Sequence, residues 1–264
     1  MAKKNVTEKD LLYNRKDGIG YITINREKQK NTISSNAIRL FLGALDMAEQ
    51  DDDVKVVCIT GAGDHVFCAG ADLSSGIGTG SKEEKETFKN YADLLIRIYW
   101  FEKPTLARIN GHCLAGGTGF MLACDIVLAR DDVKFGTPEV NAGLFPMMIG
   151  ALIFRNVLRK KAMEMMLLGQ RLSAKEALEM GMITRIFPKS DFEPKTRKIL
   201  KALSMKSPIG MKLGKHALNS VESMPFDEAV HFLSGQLSKV AKTNDAKEGI
   251  SAFLEKRIPV FKGK

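Results

Sequence analysis

Apolar and polar positions alternate from Ile19 to Ile24, and turn residues flank the run, so the pattern predicts a strand there. Ser34 then opens a stretch in which Ile38, Phe41, Leu42, Leu45 and Ala48 recur every three or four residues, the signature of one helix face. Val54 to Thr60 (VKVVCIT) is apolar and β-branched and predicts a buried strand that ends at Gly61-Ala62-Gly63. Thr105–Ile109 and Ile126–Leu128 read as further short strands, and the apolar segment Gly116–Ala123 between them reads as a buried helix. From Gly150 onward helical spacing dominates. LSAKEALEMG (172–181) is a helix capped by Ser173 and stopped by Gly181. Three more helices are expected between Asp191 and Lys256, with breaks at Pro194, Pro208 and Pro225. Ser74 to Ser81 (SSGIGTGS) reads as a flexible loop. The pattern is α/β for two-thirds of the chain and mostly α thereafter.

A chain of 264 residues suits one large domain, or a main domain with a small appendage. With 44% hydrophobic and 27% charged residues it has the balance of a soluble globule, not of a disordered or fibrous chain. The longest apolar stretch, Val140 to Phe154, holds Asn141 and Pro146 and is too short for a membrane span. MAKKNVTEKD has no apolar signal region, which predicts a cytoplasmic protein with no membrane attachment. The net charge of +9 favours polyanionic ligands. The charges are dispersed, however, the densest basic run being Arg159-Lys160-Lys161, so nucleic acid is not an expected partner and a small phosphorylated ligand fits as well. Cys58, Cys68, Cys113 and Cys124 lie in apolar or glycine-rich contexts without metal-ligand spacing, nor do the four histidines complete one, so no metal is expected.

Two glycine-rich segments follow predicted strands. In GAGDHVFCAGADL (61–73) a dinucleotide-binding turn would need its third glycine at Val66, and in NGHCLAGGTGFMLACDI (110–126) at Leu122, so neither matches that fingerprint. No nucleophile elbow and no P-loop occur. If Ala115-Gly116-Gly117 leads into a helix, its first N–H groups are unpaired and carry the positive end of the helix dipole. That environment suits an anion, or a carbonyl oxygen becoming one.

FCAGADL (67–73), INGHCLAGG (109–117), CDIVLA (124–129) and FGTPEVNAGLFP (135–146) together resemble the crotonase superfamily, the enoyl-CoA hydratase/isomerase family. MLLGQRLSAKEALEMGMI (166–183) and the ending FLEKRIPVFKGK (253–264) are similar to it too. The resemblance implies an α/β fold, a crotonase-like spiral of ββα units with a C-terminal α-helical trimerisation region. The corresponding division is an acyl-CoA-binding core over 1–190 and an oligomerisation region over 191–264. It implies a homotrimer or a dimer of trimers acting on an acyl-CoA thioester, with no cofactor beyond the CoA moiety of the substrate.

By the same resemblance, the backbone N–H groups of Ala71 and Gly116 would hold a thioester enolate oxygen. Family hydratases use two glutamates. The first would stand at 119, where this chain has Gly119, and the second corresponds to Glu139, flanked by apolar Phe135 and Leu144. A single carboxylate can carry a proton from one carbon to another, whereas adding water is better served by two. Double-bond isomerisation is therefore expected ahead of hydration, with another crotonase reaction on a CoA ester (hydrolysis, decarboxylation or ring chemistry) or a silent RNA-binding or scaffold member as the alternatives. Dienoyl-CoA isomerases use further carboxylates, whose counterparts here are Gly119 and Met147, so that subtype is disfavoured. Met147, Met148 and Ile149 are expected to line an acyl pocket, and a space left by Gly119 to admit water or a side chain from elsewhere. Ala69, Asp72, Leu73, Ser74 and Gly117 would contact the CoA, and Lys256 would reach the ligand of a neighbouring subunit. His112 and His65 are expected to serve packing and a turn.

Overall fold

A computed structural model describes residues 6–72 and 79–264. Most of the Ser74–Ser81 loop, with Leu73 and Ser74, lies outside the described residues.

The chain builds two sheets. The larger has the order β1 (Val6–Glu8), β2 (Leu11–Lys16), β3 (Ile19–Ile24), β4 (Val56–Gly61), β6 (Thr105–Ile109), β8 (Ile126–Arg130) and β11 (Arg185–Phe187). β1, β2 and β3 pair antiparallel, and from β3 to β11 every pairing is parallel. Every residue of β4 is buried, which explains its unbroken apolar sequence: a central parallel strand has no solvent face. The smaller sheet runs β10 (Leu172–Ser173), β9 (Lys134–Gly136), β7 (His112–Leu114) and β5 (Val66–Cys68). β5, β7 and β9 are parallel, so their carboxyl ends open on the same side.

Helices fill the space around these sheets. Ser34 caps α1 (Ser35–Gln50) by accepting from the Ala37 N–H at 3.1 Å, and Ile38, Phe41, Leu45 and Ala48 are buried as the periodicity requires. α2 (Lys82–Tyr99) packs against α1 and against α3 (Gly116–Ala123). Within α3 every residue after Gly116 is buried, and Phe120 meets Phe41 at 5.6 Å between ring centres. α4 (Met147–Asn156) lies on α3 and is followed by α5 (Arg159–Leu168). The capping box of Ser173 and Glu176 starts α6 (Ala174–Glu179).

After β11 the chain forms four helices, not the expected three: α7 (Lys189–Ser204), α8 (Pro208–Ser220), α9 (Phe226–Ala241) and α10 (Asn244–Leu254). Pro194 does not interrupt α7. It falls in the second turn, where its missing N–H deprives a single carbonyl near the helix start. Pro208 opens α8 and Pro225 precedes α9, positions where a fixed φ helps initiate a helix. α7 covers the outer face of the large sheet, burying Phe192 and Leu200 against Ile19, Val56, Cys58, Leu106 and Leu128. α8, α9 and α10 pack mainly on one another. No helix among the described residues is long and apolar enough to cross a membrane.

Candidate active site

Three loops leave the carboxyl ends of β5, β7 and β9, the place where ligands gather on parallel sheets. The first carries Ala69 to Asp72, the second Ala115 and Gly116, and the third Glu139.

Backbone hydrogen bonds fix the first loop. Ala69 N–H donates to Lys30 O, Ile33 N–H to Gly70 O at 2.8 Å, and Asp72 N–H to Ile33 O at 3.0 Å. The Gly70 carbonyl thus points toward Ile33. The Ala71 N–H belongs to the same trans peptide unit and points the other way. It has no acceptor among the described residues. The Asp72 carboxylate is paired with Arg26 at 2.7 Å, and Arg26 also donates to Thr32 O at 2.6 Å. Buried Asn31 and Asn110 brace the preceding turn: the Asn31 amide donates to Ala62 O and Val66 O, and the Asn110 amide to Gly61 O. Arg26, Asn31 and Asn110 carry no chemical motif, and the sequence reading missed all three.

In the second loop, Ala115 holds φ 50° and ψ −131°, a conformation L side chains avoid. Two bonds hold it there: Ala115 N–H and the Thr118 hydroxyl both donate to Gly136 O, at 2.9 and 3.2 Å. The Ala115 carbonyl accepts from Thr118 N–H, so the Gly116 N–H projects off the amino end of α3 without an acceptor among the described residues. Gly70, at φ +99°, abuts this turn, and a Cβ there would lie 2.7 Å from the Ala115 Cβ and 3.1 Å from the Gly116 nitrogen. The two loops can touch only because residue 70 has no side chain. Gly117 is buried with its α-carbon against the Cys68 carbonyl, where a Cβ would come within 2.4 Å, so its part is close packing of helix on strand.

The bond from Ala115 to Gly136 ties the second loop to β9, and three residues on, a 3₁₀ turn (Pro138–Ala142) presents Glu139. Its Oε2 is buried with no hydrogen-bond partner among the described residues. Burial holds this carboxyl above the ordinary carboxylate range, a little offset by its own backbone N–H, and no charged neighbour contributes.

Position 119 is closed. A Cβ on Gly119 would lie 2.5 Å from the Ile149 Cγ2, 2.6 Å from the Tyr91 hydroxyl and 3.2 Å from Leu95. The expected space for water is therefore filled, and one of the groups filling it is polar. Tyr91 was missed because its helix, α2, was not predicted, and a lone tyrosine in KNYADLL signals only a helix face.

Of the expected acyl-pocket residues, Ile149 packs at position 119, Met148 lines a cavity of about 740 Å³, and Met147 turns outward at 74% exposure. Met147 is the first residue of α4, whose buried residues are Ile149, Leu152 and Ile153. The cavity lies between α2, α4 and α8, walled by Leu95, Ile96, Trp100 and Leu152, with Arg155 and Glu222 also on its lining. Lys256 is exposed just past α10, in the C-terminal helical layer and not with the three loops. His65 is exposed and its carbonyl accepts from His112 N–H, whereas the His112 Nδ1 accepts from Lys134 N–H at 3.1 Å. No cluster of three or more metal-ligating side chains occurs among the described residues.

Known proteins share this fold over nearly the whole chain. The sequence matches the family described as Enoyl-CoA hydratase/isomerase over residues 14–264. It is 31% identical to a putative enoyl-CoA hydratase of Thermus thermophilus, over 93% of this chain and 98% of that protein. It is 29% identical to the 2,3-dehydroadipyl-CoA hydratase of Escherichia coli, over 97% and 99%. The crystal structure of human enoyl Coenzyme A hydratase domain-containing protein 3 superposes with a TM-score of 0.92 at 30% identity, covering 96% of this chain and 100% of that one. An enoyl-CoA hydratase from Bacillus anthracis does so at 0.92 and 28%, covering 97% and 100%. With the fold matched end to end and the family's motifs at the mouths of β5, β7 and β9, the chain belongs to the enoyl-CoA hydratase/isomerase family of the crotonase superfamily and is an enzyme of that type.

Proposed function

We propose that the protein binds an acyl-CoA thioester with its carbonyl oxygen between the N–H groups of Ala71 and Gly116, and that Glu139 is the single general acid/base. Two preorganised donors aimed at a developing oxyanion can contribute about 3 kcal/mol each. The observation that carries the reading is Glu139 itself: its buried Oε2 has no partner among the described residues, and position 119, where the family's other glutamate would stand, is a glycine walled in by Tyr91, Ile149 and Leu95. One carboxylate serves proton transfer between two carbons. Glu139 takes a proton from C2 of a 3-enoyl-CoA, leaving a dienolate whose oxygen is held by the two amides. It returns the proton to C4, and the double bond moves to C2–C3. The raised carboxyl of Glu139 suits both halves of the cycle.

Hydration of a 2-enoyl-CoA is the second reading, favoured by the names of the relatives, which are chiefly hydratases. It requires Glu139 alone to position the water and manage its protons. The acyl chain runs past Ile149 toward the cavity at Leu95 and Met148. Ala69 and Asp72 would lie on the CoA side of the site, to which the family resemblance would also assign Leu73, Ser74 and the buried Gly117. Exposed apolar residues on the C-terminal helices support a trimer or a dimer of trimers, within which Lys256 would approach a neighbouring ligand. Turnover of paired 3-enoyl and 2-enoyl CoA esters tests the assignment. The expected result is faster conversion of the 3-enoyl ester, abolished in Glu139→Gln while CoA-ester binding persists. Full activity in that variant would remove Glu139 from the mechanism. Water addition alone would replace isomerisation by hydration, and no turnover of any ester would favour a silent member.

A further inference from the structure

The closed position 119 holds a group for which the proposed reaction has so far no use. The Tyr91 hydroxyl donates to the Gly116 carbonyl at 2.6 Å, and it would lie 3.1 Å from a Cβ on Gly116 and 2.6 Å from one on Gly119. Its ring is held edge-on against Phe120, at 5.3 Å and 64°, and Phe120 is itself buried against Phe41. The hydroxyl is thus positioned from two sides, by α2 and by the core. Burial raises the phenol well above its ordinary range and keeps it protonated, with Cys68, Glu139 and Cys113 adding smaller contributions in the same direction.

We infer that Tyr91 is a positioning residue of the oxyanion hole. The inference rests on the reading of Gly116 N–H as an oxyanion donor. Gly116 follows a residue in a disfavoured conformation and has no side chain of its own to restrain it. It opens α3, where the first N–H groups have no intrahelical partner to hold them. A phenol bonded to the Gly116 carbonyl from α2 fixes the Gly116–Gly117 peptide unit, while Thr118 N–H holds the carbonyl of the preceding unit, so the two bonds together limit the rotation about the Gly116 α-carbon that would swing its N–H. A tyrosine has one proton to donate, and Gly116 takes it. Toward the site the oxygen therefore offers lone pairs only, and it cannot compete with the amides for the substrate oxygen. The bulk at 119 and the clamp at 116 are two consequences of one atom: with Gly119 in place of a longer side chain, the hydroxyl can reach the carbonyl of Gly116.

The test is Tyr91→Phe, which keeps the ring and its packing and removes only the hydroxyl. Two readouts separate positioning from mere packing: the split between kcat and KM, and the acidity of bound 3-oxoacyl-CoA, whose enolate absorbs in the near ultraviolet and reports the oxyanion hole without turnover. Loss of one well-placed hydrogen bond predicts a fall of roughly tenfold in kcat with KM nearly unchanged, and a matching fall in the enolate fraction of the bound 3-oxoacyl-CoA. Cooperative thermal unfolding serves as the folding control. Wild-type kcat and wild-type enolate acidity in Tyr91→Phe would overturn the inference, and so would a drop in kcat with unaltered acidity. If the unmodified enzyme itself fails to acidify the bound 3-oxoacyl-CoA, the oxyanion reading falls first and the role of Tyr91 with it. Loss of activity in Glu139→Gln together with an unaffected Tyr91→Phe would retire the tyrosine alone.

Discussion

Glu139 is a residue placed at a cost to the fold. Its carboxyl is held above its unfolded value because burial disfavours the charged form. The native state therefore holds the proton more tightly than the unfolded chain. Its contribution to stability is fully present below the ordinary carboxylate value and is lost as pH rises through the raised one. Glutamine has no such charge. Glu139→Gln is expected to unfold a few degrees higher than the wild type at pH 7–8, with the difference disappearing below about pH 4.3, the ordinary glutamate value. Thermal unfolding of both proteins across this range checks it, and equal midpoints at neutral pH would show that the acid is not strained by burial. Ala115 is a second such residue: its backbone conformation costs on the order of 1–3 kcal/mol and is held by the two donors that share Gly136 O. Ala115 directly precedes one proposed oxyanion donor, and Glu139 follows the strand whose Gly136 carbonyl holds Ala115, as expected where function sets the geometry.

Among the elements, the tightest approach is that of the loops after β5 and β7. Gly70→Ala would introduce a side chain at φ +99° and within 2.7 Å of the Ala115 Cβ. The expected result is a destabilisation of about 1–3 kcal/mol and a loss of most activity, because the loops that carry Ala71 and Gly116 must separate. Denaturant titration and steady-state kinetics read the two effects, and unchanged kinetics would contradict the proposed pairing of these amides. The elements that the sequence declared were those with an unambiguous period or cap. Ile19–Ile24 and Thr105–Ile109 carry buried strand patterns, Gly116–Ala123 is apolar all round, and Ser34 and Ser173 cap the helices that follow them. The strands β5, β7, β9 and β10 were illegible because two or three residues are too few to show an alternation. α2 was missed because its face toward the core is short: only Leu94, Leu95 and Ile98 of its 18 residues are fully buried. The site was legible in part through FCAGADL and INGHCLAGG, whose glycines mark close backbone approach. Tyr91 and Arg26 were not, since each acts on a residue distant in sequence and nothing in its own neighbourhood announces the partner.

For the molecule as a whole, the C-terminal helices leave apolar side chains in the open. Phe226 is 85% exposed, Phe253 82%, and Leu254 and Ile258 74% each. So many large apolar side chains left open at one end of the chain are expected to be covered by assembly, and the proposed trimer or double trimer would bury them. Light scattering should give a mass of three or six chains, with Phe226→Asp or Phe253→Asp shifting it toward the single chain. A monodisperse monomer from the unaltered protein would refute this. The net charge of +9 accords with a ligand that carries several phosphates.

The small sheet has one more consequence. Its strands are two or three residues long, and β5 and β7 meet only after the chain has passed through α2 and β6, nearly fifty residues of loop closure for a few hydrogen bonds. Nothing local rewards that pairing, so it must wait until the large sheet and its helices already hold the ends together. The three loops are then expected to converge late in folding. Catalytic competence is accordingly a property of the finished molecule, acquired after its shape, and a chain stalled just short of the native state would carry most of its helix and none of its chemistry.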